Sequence, residues 1–235
     1  HSYGSYLGWT WDYFGDDRWA WFGDLDVDST EDYKFGFYSN ATRNWDIIAY
    51  NAPNYLIVHS AGNERNDGAA PGAEHWVYSP ADNDWILSTD TRESDGPWDC
   101  LGHTKTAKNI LTVGAVEDIV GGYEYPNQVQ LASFSSGGPL DDGRIKPDIV
   151  ANGAGLYSCL EQSDTDYGSY WGTSMAAPSV AGSLTLVRQH YETFVDTSIR
   201  AATLKGLAIH TADEAGSHNG PDYKFGWGLM FFCIH

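Results

Sequence analysis

The segment Gly172-Thr173-Ser174-Met175-Ala176-Ala177-Pro178 has the residue types of a serine nucleophile mounted at the start of a helix. A glycine lets the backbone turn sharply and leaves room for a substrate to approach. Beyond Ser174, the run from Met175 to Val187 is mostly helix-compatible, with apolar positions recurring along one face. The spacing predicts a helix there, with the Ser174 hydroxyl at its N-terminus. Free N–H groups and the helix dipole favour developing negative charge at that place. Pro178 falls in the first turn or just after it, where a missing N–H costs little. An ordinary serine N-cap has the same local sequence, so this segment alone does not decide.

Two further segments add to it. Tyr55-Leu56-Ile57-Val58-His59-Ser60-Ala61-Gly62-Asn63 reads as a buried strand ending in a small-residue turn. Asn63 then stands at the C-terminal end of a strand, where open α/β sheets place their ligands. An amide there can donate to the oxyanion of a tetrahedral intermediate, although an Asn that merely closes a turn looks the same. Further along, Ala132-Ser133-Phe134-Ser135-Ser136-Gly137-Gly138-Pro139 leads into Ile145-Lys146-Pro147-Asp148-Ile149-Val150-Ala151, a Gly/Pro turn before another apolar strand.

The positioning elements alternate. A helix ends over Trp45 to Asn51, and strands are expected at Leu56 to Ser60, Asn109 to Val116 and Ile149 to Ala151. The nucleophile helix follows, then an amphipathic helix over Ser198 to His210. Strands alternating with helices predict a parallel sheet covered on both faces. The aromatic and acidic stretch Tyr3 to Asp32 is not expected to form regular structure. Its rings are expected to pack over the domain, and a carbohydrate platform is the lesser alternative. No internal repeat is visible.

In order and spacing, the Ser-Ala-Gly-Asn, Ser-Phe-Ser-Ser with Lys-Pro-Asp, Gly-Thr-Ser-Met-Ala and Phe225-Gly226-Trp227-Gly228 blocks resemble the subtilisin-like serine peptidases, from the first residues to about Gly228. The resemblance implies an α/β fold with three layers, a mainly parallel sheet flanked by helices, and an endopeptidase using a Ser-His-Asp triad. It implies Ser174 as nucleophile and Asn63 as oxyanion donor. It also implies Ser2, Tyr3 and Gly4, with Ala61 and Gly62, as the segments that bind an extended substrate. The insert-like region 3–45 resembles the Trp-rich insert of secreted subtilases of the Bacteroidetes type.

The chain departs from the family pattern at its beginning. Subtilisins carry their triad in the chain order Asp, His, Ser, and no His-Gly-Thr-His or Asp-Thr/Ser-Gly block appears here. The expectation is a single truncated catalytic domain over 1–235, with its N-terminal strands missing, the triad Asp and His outside the chain, and an atypical apolar tail at 230–235. Loss of the serine or histidine of subtilisin costs about 2 × 10⁶ in kcat, leaving roughly 10³–10⁴ over water. A fragment of this kind would be silent on peptide bonds yet able to turn over an activated ester.

None of the eight histidines is a convincing substitute base. His59 shares a strand face with Asn63, but the strand rise separates them by roughly 13 Å. His103 is the least unsuitable. His190 and His210 fall late in helices. The alternatives to a peptidase fragment are therefore a promiscuous esterase and a catalytically silent binding or structural module.

Composition bounds the remainder. The net charge of −19 leaves no basic stripe for nucleic acid. No apolar run approaches the roughly 18 residues of a membrane span, so no membrane partner is expected. The acidity suits a secreted protein in saline surroundings, where charge repulsion is screened. No cofactor is expected. Calcium stays open through Asp24, Asp26, Asp28, Glu31 and Asp32, although they lack the glycine and the glutamate of an EF-hand and read better as a solvated loop. With Cys233 in the tail, Cys100 and Cys159 are the pair available for one disulfide, by family position. The expected partners are a polypeptide or ester substrate and a second copy or second chain, which would cover the sheet edge bared by the missing strands.

Overall fold

The structure, a computed structural model, describes residues 6–195 and 198–230. Ser2, Tyr3, Gly4 and Cys233 lie outside the described residues. In chain order the elements are β1 (Trp9–Trp11), β2 (Trp19–Trp21), α1 (Asn40–Asn51), β3 (Val58–Ser60), β4 (His75–Ser79), β5 (Asp84–Ser88), β6 (Leu111–Val116), β7 (Ile149–Asn152), β8 (Leu156–Cys159), β9 (Tyr167–Tyr170), α2 (Thr173–Val195) and α3 (Ala201–His210).

The central sheet has the order β3-β6-β7, parallel throughout, with Val58 opposite Leu111 and Val113 opposite Ile149. β6 is buried at every position, which is why its sequence does not alternate; its one polar side chain, Thr112, donates its hydroxyl to Lys105 C=O at 2.8 Å. α2 lies across all three strands. Its Ala176, Val180 and Leu184 close the core over Val58, Val113 and Ile149. The next residue of β3's lead-in points the other way, so Ile57 packs with Ile110, Ala49 and Trp45 under α1. Helix, sheet, helix is the three-layer arrangement expected from the sequence. Truncating a buried side chain such as Leu111 costs about 2–5 kcal/mol in sites of this kind.

Both edges of this sheet are shielded within the chain. Val58, His59 and Ser60 of β3 are all buried. Along β7, residues 227–230 run beside the strand, with Trp227 N–H donating to Asp148, Val150 N–H to Gly228 and Met230 N–H to Val150. The apolar surface left open lies elsewhere, on Ile47 and Ile48 of α1 and on Leu186 and Phe194 of α2.

The expectation that Tyr3 to Asp32 lacks regular structure is corrected. β1 and β2 form a hairpin, Trp9 opposite Trp21 and Trp11 opposite Trp19. β2 then pairs in parallel with β4, and β4 pairs antiparallel with β5, making a second sheet of order β1-β2-β4-β5. Trp9, Trp21 and Val77 are buried on its inner face. Trp9-Thr10-Trp11 and Trp19-Ala20-Trp21 alternate in sequence as a strand does, a pattern obscured by the Asp-rich turns between.

The proposed Cys100–Cys159 disulfide is corrected too. Both thiols are free. Cys100 is buried beside Leu7 and Phe35, where its sulfur accepts from Gly137 N–H at 3.3 Å. Cys159 is exposed on the β8–β9 hairpin. Burial pushes the Cys100 thiol up to about 11, so it is inert as a thiolate.

Candidate active site

α2 begins at Thr173, two residues before the expected start, so Ser174 is its second residue rather than its cap. The cause is a cap from another part of the chain. The Asn63 side-chain oxygen accepts from Thr173 N–H at 2.9 Å and from the Thr173 hydroxyl at 3.0 Å. A helix's first N–H groups have no intrahelical partner, and Asn63 supplies one. Gly172 stands before the helix at φ +147°, a conformation that disfavours side chains, and its carbonyl accepts from Met175 N–H at 3.0 Å. Pro178 sits inside the helix just past the first turn.

The same contact orients Asn63. With its oxygen taken by Thr173, the amide has its Nδ2 donors left for the open side, and a Cβ built on Gly172 would come within 3.4 Å of that nitrogen. Asn63 is exposed and Ser174 half-buried. The Ser174 N–H, in the first turn, has no intrahelical acceptor. A Cβ built on Gly172 would lie 3.4 Å from Asn63 Nδ2 and 3.6 Å from Ser174 N, so both nitrogens border one point at a helix N-terminus, a place that favours negative charge. Among the described residues no hydrogen bond reaches the Ser174 hydroxyl.

Behind Asn63, Gly62 N–H donates to the Thr173 hydroxyl at 3.0 Å, and Gly62 C=O accepts from Ser136 N–H at 3.0 Å. Gly62 is thus clamped between the nucleophile helix and the Ser-Phe-Ser-Ser turn. Ala61, expected with Gly62 among the substrate-binding residues, is wholly buried in this structure. Ser2, Tyr3 and Gly4 lie outside the described residues.

Sequence reasoning missed a polar cluster next to Gly62. Lys105 Nζ lies 3.1 Å from Glu64 Oε1, and the Ser136 hydroxyl donates to Glu64 Oε2 at 2.7 Å. Glu64 adjoins Asn63 and Ser136 is within a recognised block, but Lys105 carries no local signal. Lys-Pro-Asp, recognised only as a landmark, turns out to be a buried ion network. Asp148 contacts Lys146 at 2.6 Å and Lys205 at 3.0 Å, and it accepts from Thr112 N–H at 2.7 Å. Burial alone would raise the Asp148 carboxyl, but the two ammonium groups outweigh it and hold the carboxyl below its usual range.

The histidines considered as bases are otherwise employed. His59 is fully buried, its Nδ1 is 2.8 Å from Ser60 O, and burial pushes its imidazole down to about 4. His103 lies in a short 3₁₀ turn, where burial and Lys34 lower it. The acidic run spends its carboxylates on its own backbone. Asp28 Oδ1 accepts from Thr30 N–H and Glu31 N–H, and Asp32 Oδ2 turns inward to Gly8 N–H. Among the described residues no group of three or more His, Cys, Asp or Glu is arranged to hold a metal ion. Among them, too, no helix is long and apolar enough to cross a membrane.

The chain is 41% identical over 92 residues to the minor extracellular protease Vpr of Bacillus subtilis, covering 37% of this chain and 11% of Vpr. It is 46% identical over 115 residues to pyrolysin of Pyrococcus furiosus, covering 40% of this chain and 8% of pyrolysin. The chain thus spans about a tenth of the length of these relatives. Among solved structures, the patellamide maturation protease PatA superposes with a TM-score of 0.54 over 84% of this chain and 55% of PatA, at 18% identity, a likeness of fold. The subtilase family model (peptidase S8) matches residues 1–228, and the chain belongs to that family.

Proposed function

We propose that this chain is the nucleophile-bearing part of a secreted serine endopeptidase. Ser174 Oγ bonds to the scissile carbonyl carbon as its proton passes to a histidine, which returns it to the departing amine. Water then releases the acyl group by the reverse proton route. The Asn63 amide and the Ser174 N–H hold the oxyanion in both steps. The histidine and its orienting aspartate come from residues outside this chain, which fits the burial of His59 with its Nδ1 2.8 Å from Ser60 O. None of these roles calls on a metal or cofactor.

One observation carries the reading: Asn63, reached from a different strand, is locked by Thr173, and its Nδ2 and the Ser174 N lie 3.4 and 3.6 Å from the same point, a Cβ built on Gly172. Likeness to a relative named as an extracellular protease supports secretion. A second polypeptide that supplies the base would find apolar surface on Ile47, Ile48, Leu186 and Phe194.

Fluorophosphonate labelling of the chain and of Ser174→Ala, followed by intact mass, tests this reading. The chain alone is expected to label weakly or not at all, since loss of the histidine costs about 2 × 10⁶ in kcat, and a Ser174-dependent adduct is expected once a polypeptide carrying the histidine and aspartate is added. Turnover of an activated ester by the chain alone, without peptide cleavage, would mark the esterase alternative. A folded chain that takes up no probe even with that polypeptide would leave only the silent scaffold.

A further inference from the structure

The sheet β1-β2-β4-β5 is assembled from two excursions, and the second leaves the fold directly after Asn63. Its base is tied back to that loop. Asp95 N–H donates to Asp67 C=O at 2.9 Å, and a Cβ on Gly96 would collide with the carbonyl of Arg65. Asp67 is four residues from Asn63, so the base of the sheet lies within about 14 Å of the oxyanion donor. While the inner face is buried on Trp9, Trp21 and Val77, the outer face is a half-open cluster of rings. Phe14 packs on Trp76 at 4.9 Å and on Trp85 at 5.4 Å, and Tyr13 packs on Phe14 at 4.8 Å. Tyr13 and Phe14 remain 40% and 44% exposed, more than folding of the sheet requires.

Charge identifies what this face would take. Residues 9–32 and 69–95 hold fourteen Asp and Glu against two Arg. Both Arg are occupied: Arg18 pairs with Asp16 and Glu74, and Arg92 lies over Trp21 beside Asp90. The loop that brings Tyr13 and Phe14 onto the sheet is flanked by Asp12, Asp16 and Asp17. Asp16 Oδ2 accepts from Trp76 Nε1 at 2.8 Å, while its Oδ1 is buried without a hydrogen-bond partner. Ring faces and carboxylates, with no free cation among them, are complementary to Lys and Arg side chains. A second copy of this chain, at −19, would be repelled.

We infer that the outer face of this sheet is an accessory docking surface for a Lys/Arg-rich segment of a polypeptide substrate, whose stems lie on Tyr13 and Phe14 and whose charges meet Asp12 and Asp17. The inference rests on the peptidase reading for the word substrate, but its test does not use Ser174. Binding of a fluorescein-labelled Lys/Arg peptide is followed by anisotropy, next to an acidic peptide and an oligosaccharide series. The basic peptide alone is expected to bind. Its affinity should fall about tenfold or more as salt rises from about 0.1 M to about 1 M, where the screening length shrinks from about 10 Å to about 3 Å. The double variant Asp12→Asn, Asp17→Asn should weaken it about fivefold or more. Both positions have positive φ, +55° and +57°, which Asn tolerates, so this variant decides the matter even if Phe14→Ala fails to fold. No binding of the basic peptide, equal binding of the acidic one, or oligosaccharide binding instead would each overturn the inference. Fluorophosphonate reactivity stands or falls separately.

Discussion

Thr173 holds Asn63 by two donors at once, its backbone N–H at 2.9 Å and its hydroxyl at 3.0 Å, both on the same side-chain oxygen. The arrangement caps the helix and fixes which end of the amide faces Ser174. Asn63→Asp therefore keeps the cap and replaces the donor with an anion. Loss of one such donor costs about 10²–10³ in turnover, and Asp should do at least as badly despite an intact fold. Thr173→Val keeps the backbone cap but removes the hydroxyl's bond to Asn63 and leaves Gly62 N–H without its acceptor, two contacts of about 0.5–1.5 kcal/mol each in stability, and should lower turnover less than Asn63→Asp does. Ser174-dependent ester hydrolysis at matched helicity measures both. An Asn63→Asp variant as active as Thr173→Val would remove Asn63 from the oxyanion site.

The Asp148 network predicts a large stability effect far from the nucleophile. Asp148 is the shared anion for Lys146 and Lys205, and Lys205 also donates to the carbonyl of Ile110 at 2.6 Å, tying α3 to the strand lead-in. Asp148→Asn leaves two ammonium groups facing each other with no counter-charge. Breaking a buried pair in this way costs about 3–5 kcal/mol. Adding Lys146→Met should recover part of the loss, because the stem is kept and the stranded charge removed. Urea unfolding of the two variants is the measurement. A single-variant loss below about 1 kcal/mol, the worth of a surface pair, would mean that water reaches the network.

What could be read in the sequence follows from the range of each interaction. β6 declares itself because a strand buried on both faces is mostly apolar and does not alternate. The body of α2 shows its periodicity, and the site's two polar members lie beyond the end of β3 and at the start of α2. The first turn of α2 is different: its start depends on a cap from Asn63, which no local pattern around Thr173 encodes. Glu64 finds Lys105 only after folding. The second sheet hid for the same reason, since β2 reaches β4 across α1 and β3 through the pairing of Ala20 with Trp76. Its Trp alternation was there to read, but three-residue strands between Asp-rich turns fall below the length at which a period is persuasive.

Asp95 should make the protein less stable as pH rises. Its carboxyl is buried, accepts from Trp9 N–H at 2.8 Å, and stands near Asp67, Glu64 and Asp32. Burial, aided by those neighbouring charges, pushes it up to about 9. Asp67 and Asp99 are each raised to about 6, again chiefly by burial. An unfolded Asp releases its proton near ~3.9, so between that value and the folded one the native state binds more protons than the unfolded state. The stabilisation is complete below the unfolded value and drains away through the folded one. Each such group contributes a slope of about −1.4 kcal/mol per pH unit. Asp67 and Asp99 stop contributing above about pH 6, leaving Asp95 alone up to about 9. Asp95→Asn retains an oxygen for Trp9 N–H and has no proton to lose. Its unfolding free energy, followed between about pH 6 and about pH 8, should be nearly flat where the parent falls. Parallel profiles for parent and variant would show that Asp95 is already ionised in the fold, with a counter-charge or water reaching it beneath Trp9.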